Sequence, residues 1–181
     1  IERLEILKND GIKFLTLTWN GENRIAGGSK CDKNLTDFGV TVITELNRLK
    51  IGCDLSHLNI QSFYSAIEYA DFPLATHSNC YEICNHPRNL TFEQIKLIAQ
   101  KGGIIGLTFY PEFLGENTFD KIYENIYLLC DKGFENNLAI GTDFDGGKMS
   151  DSLDKTSKIP LLYGFLEKKG LQRPILDKIF Y

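Results

Sequence analysis

The chain has 181 residues, 43% hydrophobic and 24% charged, which is typical of one globular domain. Its net charge is −4 at pH 7, and its 20 basic residues are scattered among 24 acidic ones, which argues against a nucleic-acid or anionic-membrane partner. No apolar run approaches the roughly 20 residues of a membrane-spanning helix. We therefore expect a single domain over residues 1–181 with no membrane segment.

Strand-like and helix-like segments alternate after a charged amphipathic opening, IERLEILKND, which predicts a helix rather than a signal peptide. Lys13–Trp19 alternates apolar residues with threonine and predicts a strand. Asp37–Lys50 has apolar residues at helical spacing, and IGCDLS (51–56) predicts a second strand. A helix over about Gln61–Ala70 and a third strand, PLATHS (73–78), follow.

The alternation continues to the end of the chain. TFEQIKLIAQKGG (91–103) carries helix-capping residues at both ends, and Gly103–Phe109 predicts a fourth strand. Thr118–Lys132 predicts another helix with Ile122, Ile126 and Leu129 on one face, and NLAIGTDFDGG (137–147) a fifth strand that runs into a loop. Two further helices complete the chain.

These repeated strand–helix units predict an α/β fold with a parallel sheet and helices outside it. Five units fit either an open doubly wound sheet or part of an eight-stranded barrel. The glycines of GENRIAGGSK match neither a dinucleotide fingerprint nor a phosphate loop.

Polar and aromatic side chains cluster at the carboxyl ends of the five predicted strands. Both α/β barrels and open sheets build their sites at this end. In strand order, the groups are Trp19, Asn20 and Glu22; Asp54, Ser56 and His57; His77, Ser78 and Asn79; Phe109 with Tyr110; and Asp143 with Asp145.

His57 and His77 occupy equivalent ends of consecutive strands. A single histidine at a strand end is more often structural than a metal ligand, but two at equivalent ends favour a metal site. Neighbouring parallel strands lie about 4.8 Å apart, and zinc combines imidazole with carboxylate ligands. Asp143 and Asp145 alternate along their predicted strand, so we expect only one to face the site. The pattern favours a metal-assisted hydrolase.

Two further residues lie in the segment NHPRNL. Pro87 fixes a turn after His86, so we expect His86 to be a loop residue. Arg88 could clamp a carboxylate through two parallel hydrogen bonds. An alternative role for Arg88, as a solvated or helix-capping residue, is equally compatible with the sequence.

The chain has five cysteines, an odd number in a protein too large to need disulfides. This favours reduced thiols and a cytoplasmic location. Cys80 and Cys84 have a spacing that could form half a metal site. No second pair accompanies them, so we interpret them as small core-facing residues.

Several motifs together resemble the membrane dipeptidase (renal dipeptidase) family of zinc peptidases, and its bacterial members most closely. They are FLTLTWNGEN, DLSH, THSN followed by HPRNLT, GGIIGLTF and IGTDFDG. Their order and spacing are those of the family, and they cover nearly the whole chain. The resemblance implies a (β/α)8 barrel with two zinc ions that hydrolyses dipeptides.

The resemblance also assigns roles to individual residues. His57 and His77 match histidines that bind one zinc, and Arg88 matches the arginine that holds the free carboxylate of the dipeptide. Asp143 matches the catalytic aspartate beside a metal-activated water, where it would orient that water or pass its proton to the leaving amine. Asn20 and Tyr110 are expected to contact the substrate.

The sequence departs from the family pattern at two places. Trp19 replaces a histidine that mammalian members use to hold the substrate carbonyl, and Asn20 could supply a hydrogen bond instead. The family's His-x-Asp motif and its bridging glutamate have no counterpart in this sequence. We therefore expect the chain to be the C-terminal part of a longer protein, with about the last five β/α units of the barrel and an open edge that could support a homodimer.

Two other functions fit the same residues. One is a metal-dependent hydrolase that acts on a cyclic amide or phosphoester, although the HPRN motif suits a dipeptide carboxylate better. The other is a non-catalytic barrel fragment that acts in binding or assembly. Trp19 and the absent ligands favour this second alternative, whereas the presence of His57, His77, Arg88 and Asp143 together opposes it.

Overall fold

A computed structural model describes residues 1–116 and 118–181, and its helices and strands follow the predicted alternation. The strands are β1 (Phe14–Thr16), β2 (Gly52–Asp54), β3 (Pro73–Leu74), β4 (Ile105–Leu107) and β5 (Leu138–Ile140). The helices are α1 (Glu2–Asn9), α2 (Asp37–Leu49), α3 (Ile60–Tyr69), α4 (Phe92–Gln100), α5 (Pro111–Leu114), α6 (Thr118–Asp131), α7 (Ile159–Lys168) and α8 (Arg173–Phe180). The predicted α/β class is confirmed.

The chain divides into two compact units, and the first comprises Ile1–Ala75 and Glu93–Gly103. Its sheet has the order β1-β2-β3 with all pairs parallel. The register places Thr16 opposite Asp54 and Asp54 opposite Leu74. The side chain of Thr36 accepts a hydrogen bond from a backbone N–H in the first turn of α2 and caps that helix.

The core of the first unit is formed by the apolar faces of its helices. Ile43 and Leu46 of α2 are fully buried, and α3 contributes Phe63 and Ala66. Each large aliphatic or aromatic side chain removed from water in this way stabilises the fold by about 1.5–3 kcal/mol.

The second unit comprises Thr76–Phe92 and Ile104–Tyr181. Its strands β4 and β5 pair in parallel, with Leu107 opposite Ile140. The predicted inner face of α6 is confirmed, because Ile122, Ile126 and Leu129 are all fully buried. Helix α8 packs against β5, and α7 packs against both α6 and α8.

The strands are shorter than the sequence predicts, because pairing stops where the polar loop segments begin. This corrects one expectation about the last loop. Asp143 and Asp145 do not alternate along a strand, since β5 ends at Ile140 and both acids lie beyond it. Of the helices within residues 1–116 and 118–181, none combines the length and the apolarity needed to cross a membrane.

Candidate active site

The candidate site residues follow the strand ends at a constant distance along the chain. Thr16, Asp54 and Leu74 are paired in the first sheet, and Leu107 is paired with Ile140 in the second. Three residues beyond these positions, in the same order, stand Trp19, His57, His77, Tyr110 and Asp143. Each unit therefore begins its predicted site residues at the same offset in sequence from its paired strand positions.

Asp54 and Ser56, the acid and the hydroxyl residue that precede His57, hydrogen-bond to each other. Asp54 is buried, and its Oδ1 accepts from the backbone N–H and the hydroxyl of Ser56 at 3.1 and 2.6 Å. The other oxygen, Oδ2, accepts from Thr16 Oγ1 at 2.6 Å. Asp54 therefore joins β1 to the turn after β2 and fixes the backbone that carries His57.

Asn20 orients the imidazole of His57. His57 Nδ1 lies 3.0 Å from Asn20 Oδ1, which also accepts from Ser29 Oγ at 3.1 Å. Because an amide oxygen can only accept, His57 Nδ1 is the donor in this contact, and in a neutral imidazole the lone pair then lies on Nε2. Metal-binding histidines are commonly held through their second nitrogen in this way.

This contact bears on the expected role of Asn20. The side-chain oxygen of Asn20 binds His57 and Ser29, so a contact with substrate would fall to its amide nitrogen. Trp19, its neighbour, is 74% exposed. A substrate-binding role for Asn20 stays a prediction, and its observed partner is the predicted metal ligand.

The loop that follows β3 carries His77 and Arg88 in the second unit. His77 Nδ1 lies 2.7 Å from Thr76 Oγ1. Arg88 Nη2 donates to the backbone oxygen of His77 at 3.4 Å. Arg88 is only 3% exposed, which excludes the alternative that it is a solvated surface arginine.

Phe113, a residue that the sequence analysis missed, contacts two of the predicted substrate-binding side chains, Arg88 and Tyr110. The guanidinium carbon of Arg88 lies 5.2 Å from the centroid of its ring. The rings of Tyr110 and His86 lie 4.8 and 4.5 Å from the same centroid. His86 is a loop residue as predicted, and the structure adds that its ring packs against Phe113.

Two buried asparagines hold the backbone of Phe113. Asn79 Nδ2 donates to the backbone oxygens of Thr108 and Phe113 at 3.1 and 3.2 Å. Asn89 Nδ2 donates to the backbone oxygens of Phe113 and Cys84 at 2.7 and 2.8 Å. The backbone N–H of Asn79 donates to Asn89 Oδ1 at 3.1 Å. This asparagine pair joins the loop after β3 to the loop after β4.

Asp143 lies in a tight turn after β5. Its backbone has φ of 59°, in the left-handed region that non-glycine residues rarely adopt. The turn is closed by the N–H of Gly146, which donates to the backbone oxygen of Asp143 at 2.9 Å. Asp143 is half-buried and Asp145 is exposed, so the two acids of the motif have different surroundings.

Two of the five cysteines, Cys53 and Cys80, are buried, and the other three are half-buried. All five are free. Burial, with a smaller effect from Asp54, raises the pKa of the Cys53 thiol to about 12, and burial also raises the pKa of Cys80. Cys84 is half-buried, with its Sγ 3.6 Å from the backbone oxygen of Glu112. These surroundings support the interpretation of Cys80 as a core residue, whereas the half-buried Cys84 does not lie fully in the core.

A zinc site needs more donors than the described residues bring together. Within residues 1–116 and 118–181, no group of three or more His, Cys, Asp or Glu side chains is arranged to hold a metal ion. Structural and catalytic zinc sites use at least three protein ligands. The described part of the chain therefore does not fit a complete zinc site by itself.

Comparison with known proteins shows a match between one family model and the full chain. The family model described as membrane dipeptidase (Peptidase family M19) matches residues 1–181. An uncharacterized protein in the pqqA 5′ region of Klebsiella pneumoniae is 32% identical, over 94% of this chain and 69% of its own length. The dipeptidase verJ of Clonostachys rogersoniana is 29% identical, over 89% of this chain and 44% of its own length.

A solved structure shows the same similarity in three dimensions. The metallopeptidase of Rhodobacter sphaeroides, liganded with a phosphinate mimic of the dipeptide L-Ala-D-Ala, superposes with a TM-score of 0.91 at 27% identity. The match covers 98% of this chain and 55% of that one. The chain thus spans about half the length of this structure and of the fungal dipeptidase.

Proposed function

The chain belongs to the membrane dipeptidase family, Peptidase family M19, and we propose that it forms part of a zinc-dependent dipeptidase. In this proposal it supplies about the last five β/α units of a (β/α)8 barrel. The parallel pairing within β1-β2-β3 and within β4-β5 supports this, as does the chain's coverage of 55% of the length of the R. sphaeroides metallopeptidase. The remaining units would come from a part of the protein outside these residues.

The proposed substrate is a dipeptide with a free C-terminal carboxylate, including dipeptides that end in a D-residue. The R. sphaeroides metallopeptidase is liganded with a mimic of L-Ala-D-Ala, which supports this substrate class for its relative. Free thiols at all five cysteines support the proposed cytoplasmic location.

The observation that carries the proposal is the placement of Arg88. A buried guanidinium held against an aromatic ring is suited to a planar anion, because its donors form a rigid fork that matches a carboxylate. The backbone oxygen of His77 takes one N–H of Nη2 and fixes the orientation of the group. Arg88 would bind the dipeptide carboxylate, with Tyr110 against the same part of the substrate.

Asp143 would move the proton in the reaction. Its position three residues beyond the end of β5 and its half-buried state suit a carboxylate that receives a proton from the attacking water and delivers it to the leaving amine. The left-handed backbone at Asp143 supports this role, since strained conformations concentrate at functional sites.

His57 and His77 would be two of the zinc donors. The hydrogen bond between His57 Nδ1 and Asn20 leaves Nε2 as the ligand nitrogen. Because the described residues hold no group of three suitable donors, the proposal requires further ligands from outside them. We therefore assign no catalytic step to the metal from this chain alone.

The proposal is tested with the intact polypeptide that contains this chain, supplied with zinc. We expect hydrolysis of L-Ala-D-Ala, and a large loss of kcat/KM for the same dipeptide as its C-terminal amide. Arg88→Lys should remove most of this discrimination, because an ammonium cannot make the two parallel hydrogen bonds. Equal turnover of dipeptide and amide would favour a cyclic-amide or phosphoester hydrolase, and no hydrolysis would favour a non-catalytic barrel fragment.

A further inference from the structure

Two consecutive glycines, Gly146 and Gly147, end the motif TDFDGG beside the proposed catalytic aspartate. Neither has φ in the left-handed region that favours glycine. Gly133, by comparison, has φ of +82° and open space around its Cα. The conformation of the backbone therefore explains glycine at position 133 but not at positions 146 and 147.

The space beside Gly146 is filled by the carboxylate of Asp143. A Cβ added at Gly146 would lie 2.2 Å from Asp143 Oδ1, 2.6 Å from Cγ and 2.8 Å from Oδ2. All three distances are shorter than real Cβ contacts, so any side chain at position 146 must displace the carboxylate or the turn. Asp143 thus has its carboxylate directly against the Cα of Gly146.

The space beside Gly147 is filled by the ring of Tyr110. A Cβ added there would lie 2.3 Å from Tyr110 Cε2 and 3.1 Å from Cζ. Tyr110 comes from the loop after β4, whereas the glycines come from the loop after β5. The two glycines therefore hold side chains from two different loops next to each other along one short stretch of backbone.

We propose that Gly146 and Gly147 form a platform that positions the Asp143 carboxylate and the Tyr110 ring for the reaction. The inference rests on the proposed dipeptidase function and adds two positioning residues to it. Gly146 acts through Asp143 and sets where the proton-transferring oxygen lies. Gly147 acts through Tyr110 and sets the wall of the substrate site, so the two glycines should affect different kinetic constants.

The test compares Gly146→Ala and Gly147→Ala with Gly164→Ala in the intact, zinc-supplied polypeptide. Gly164 lies in α7, where a Cβ meets nothing within 4 Å, so this control should keep wild-type kinetics. Gly146→Ala should lower kcat about 100-fold with little change in KM, since a displacement of roughly 1 Å in a reacting group can have that effect. Gly147→Ala should mainly raise KM.

Two further measurements separate positioning from a general loss of structure. In an Asp143→Ala background, Gly146→Ala should have no additional effect on kcat, because the group through which it acts is gone. A crystal structure of Gly146→Ala should show the Asp143 carboxylate moved by about 1 Å or more within an otherwise unchanged fold. An equal drop in kcat in both backgrounds, or a carboxylate that stays in place, would overturn the platform.

Different measurements would overturn the proposed dipeptidase function and the proposed glycine platform. A wild-type polypeptide that hydrolyses no dipeptide would overturn the proposed function and, with it, the catalytic role of the platform. Wild-type activity combined with unchanged kinetics in both glycine variants would overturn the platform alone.

Discussion

The guanidinium carbon of Arg88 lies 5.2 Å from the centroid of the Phe113 ring. Phe113 also contacts the rings of Tyr110 and His86, and its backbone oxygen is held by Asn79 and Asn89. The loops after β3 and β4 therefore meet at one residue. The strength with which the proposed enzyme binds a dipeptide carboxylate should depend on that residue.

Replacing Phe113 with leucine should weaken substrate binding more than turnover. The change keeps an apolar side chain but removes the ring face under Arg88, an interaction of about 0.5–2 kcal/mol. At 1.4 kcal/mol for each factor of ten, we expect KM for a dipeptide to rise about two- to thirty-fold with kcat little changed. Steady-state kinetics of the intact polypeptide measure this.

The matched control is Phe119→Leu. Phe119 also packs edge-on against another aromatic ring, that of Phe165, at 5.4 Å in the same unit. Within residues 1–116 and 118–181, the ring of Phe119 pairs with that of Phe165 and with no predicted substrate-binding side chain. The KM of Phe119→Leu should therefore stay at the wild-type value. A rise in KM of the same size in both variants would refute the specific role of Phe113.

Replacing Asn20 with alanine should weaken metal binding. The hydrogen bond from His57 Nδ1 to Asn20 fixes the ring that presents Nε2, and loss of such a partner typically lowers metal affinity about 10–100-fold. Asn20→Asp keeps an acceptor and should retain more affinity. Competition between the intact polypeptide and a zinc-binding dye measures the change.

Asn34→Ala provides the comparison for Asn20. Asn34 also accepts a side-chain hydrogen bond, from Ser65 Oγ at 2.9 Å, but this contact is exposed. The zinc affinity of the Asn34→Ala variant should equal that of the wild type. Unaltered affinity in Asn20→Ala would show that His57 does not depend on Asn20, or is not a ligand.

Replacing Asn89 with alanine should destabilise the fold. The buried side chain donates to two backbone oxygens and accepts from one backbone N–H, and leaving such groups without partners costs about 1–3 kcal/mol. Urea unfolding should show this loss. Asn136→Ala removes an exposed contact to Lys178 and should change the free energy of unfolding by less than about 0.5 kcal/mol.

The stability of the fold should fall at alkaline pH. The Cys53 thiol has its pKa raised from 9.0 to about 12 by burial, so the folded chain holds this proton more tightly than the unfolded chain. The contribution of Cys53 to the free energy of unfolding is fully present below pH 9. It is lost as the pH rises towards 12, because the thiol of the unfolded chain ionises first. Burial also raises the pKa of the Cys80 thiol, so Cys80 likewise lowers the free energy of unfolding at alkaline pH.

Urea unfolding across this pH range gives the measurement. Cys53→Ala should show a shallower decline of the free energy of unfolding than the wild type, with the contribution of Cys80 remaining. A decline of identical slope in the two proteins would contradict the burial of an un-ionised Cys53 thiol.

The sequence was informative where local patterns decide the structure. The buried face of α6 was predicted from its spacing, and the strand ends were placed closely enough to group the site residues. Phe113 could not be found in this way, since α5 has only four residues and no readable period. The two glycines of TDFDGG indicate a close approach of other atoms to the backbone. Which side chains approach them, Asp143 and Tyr110, is known only from the structure.

The asparagine pair was hidden for a different reason. Asn79 and Asn89 are ten residues apart, and their contact depends on how the intervening turns fold. The glycines of TDFDGG predict a turn here, but they do not show which residue of the turn adopts the left-handed backbone that the structure places at Asp143. Tertiary geometry, rather than local preference, determines these features.

The constant offset between strand ends and site residues has a consequence for how this protein can change. Trp19, His57, His77, Tyr110 and Asp143 all stand three residues past a paired strand position. An insertion or deletion before that third residue would change the number of residues between the strand and the side chain, whereas one after it would leave this offset intact. We therefore expect changes of loop length to be tolerated better downstream of these five positions than before them.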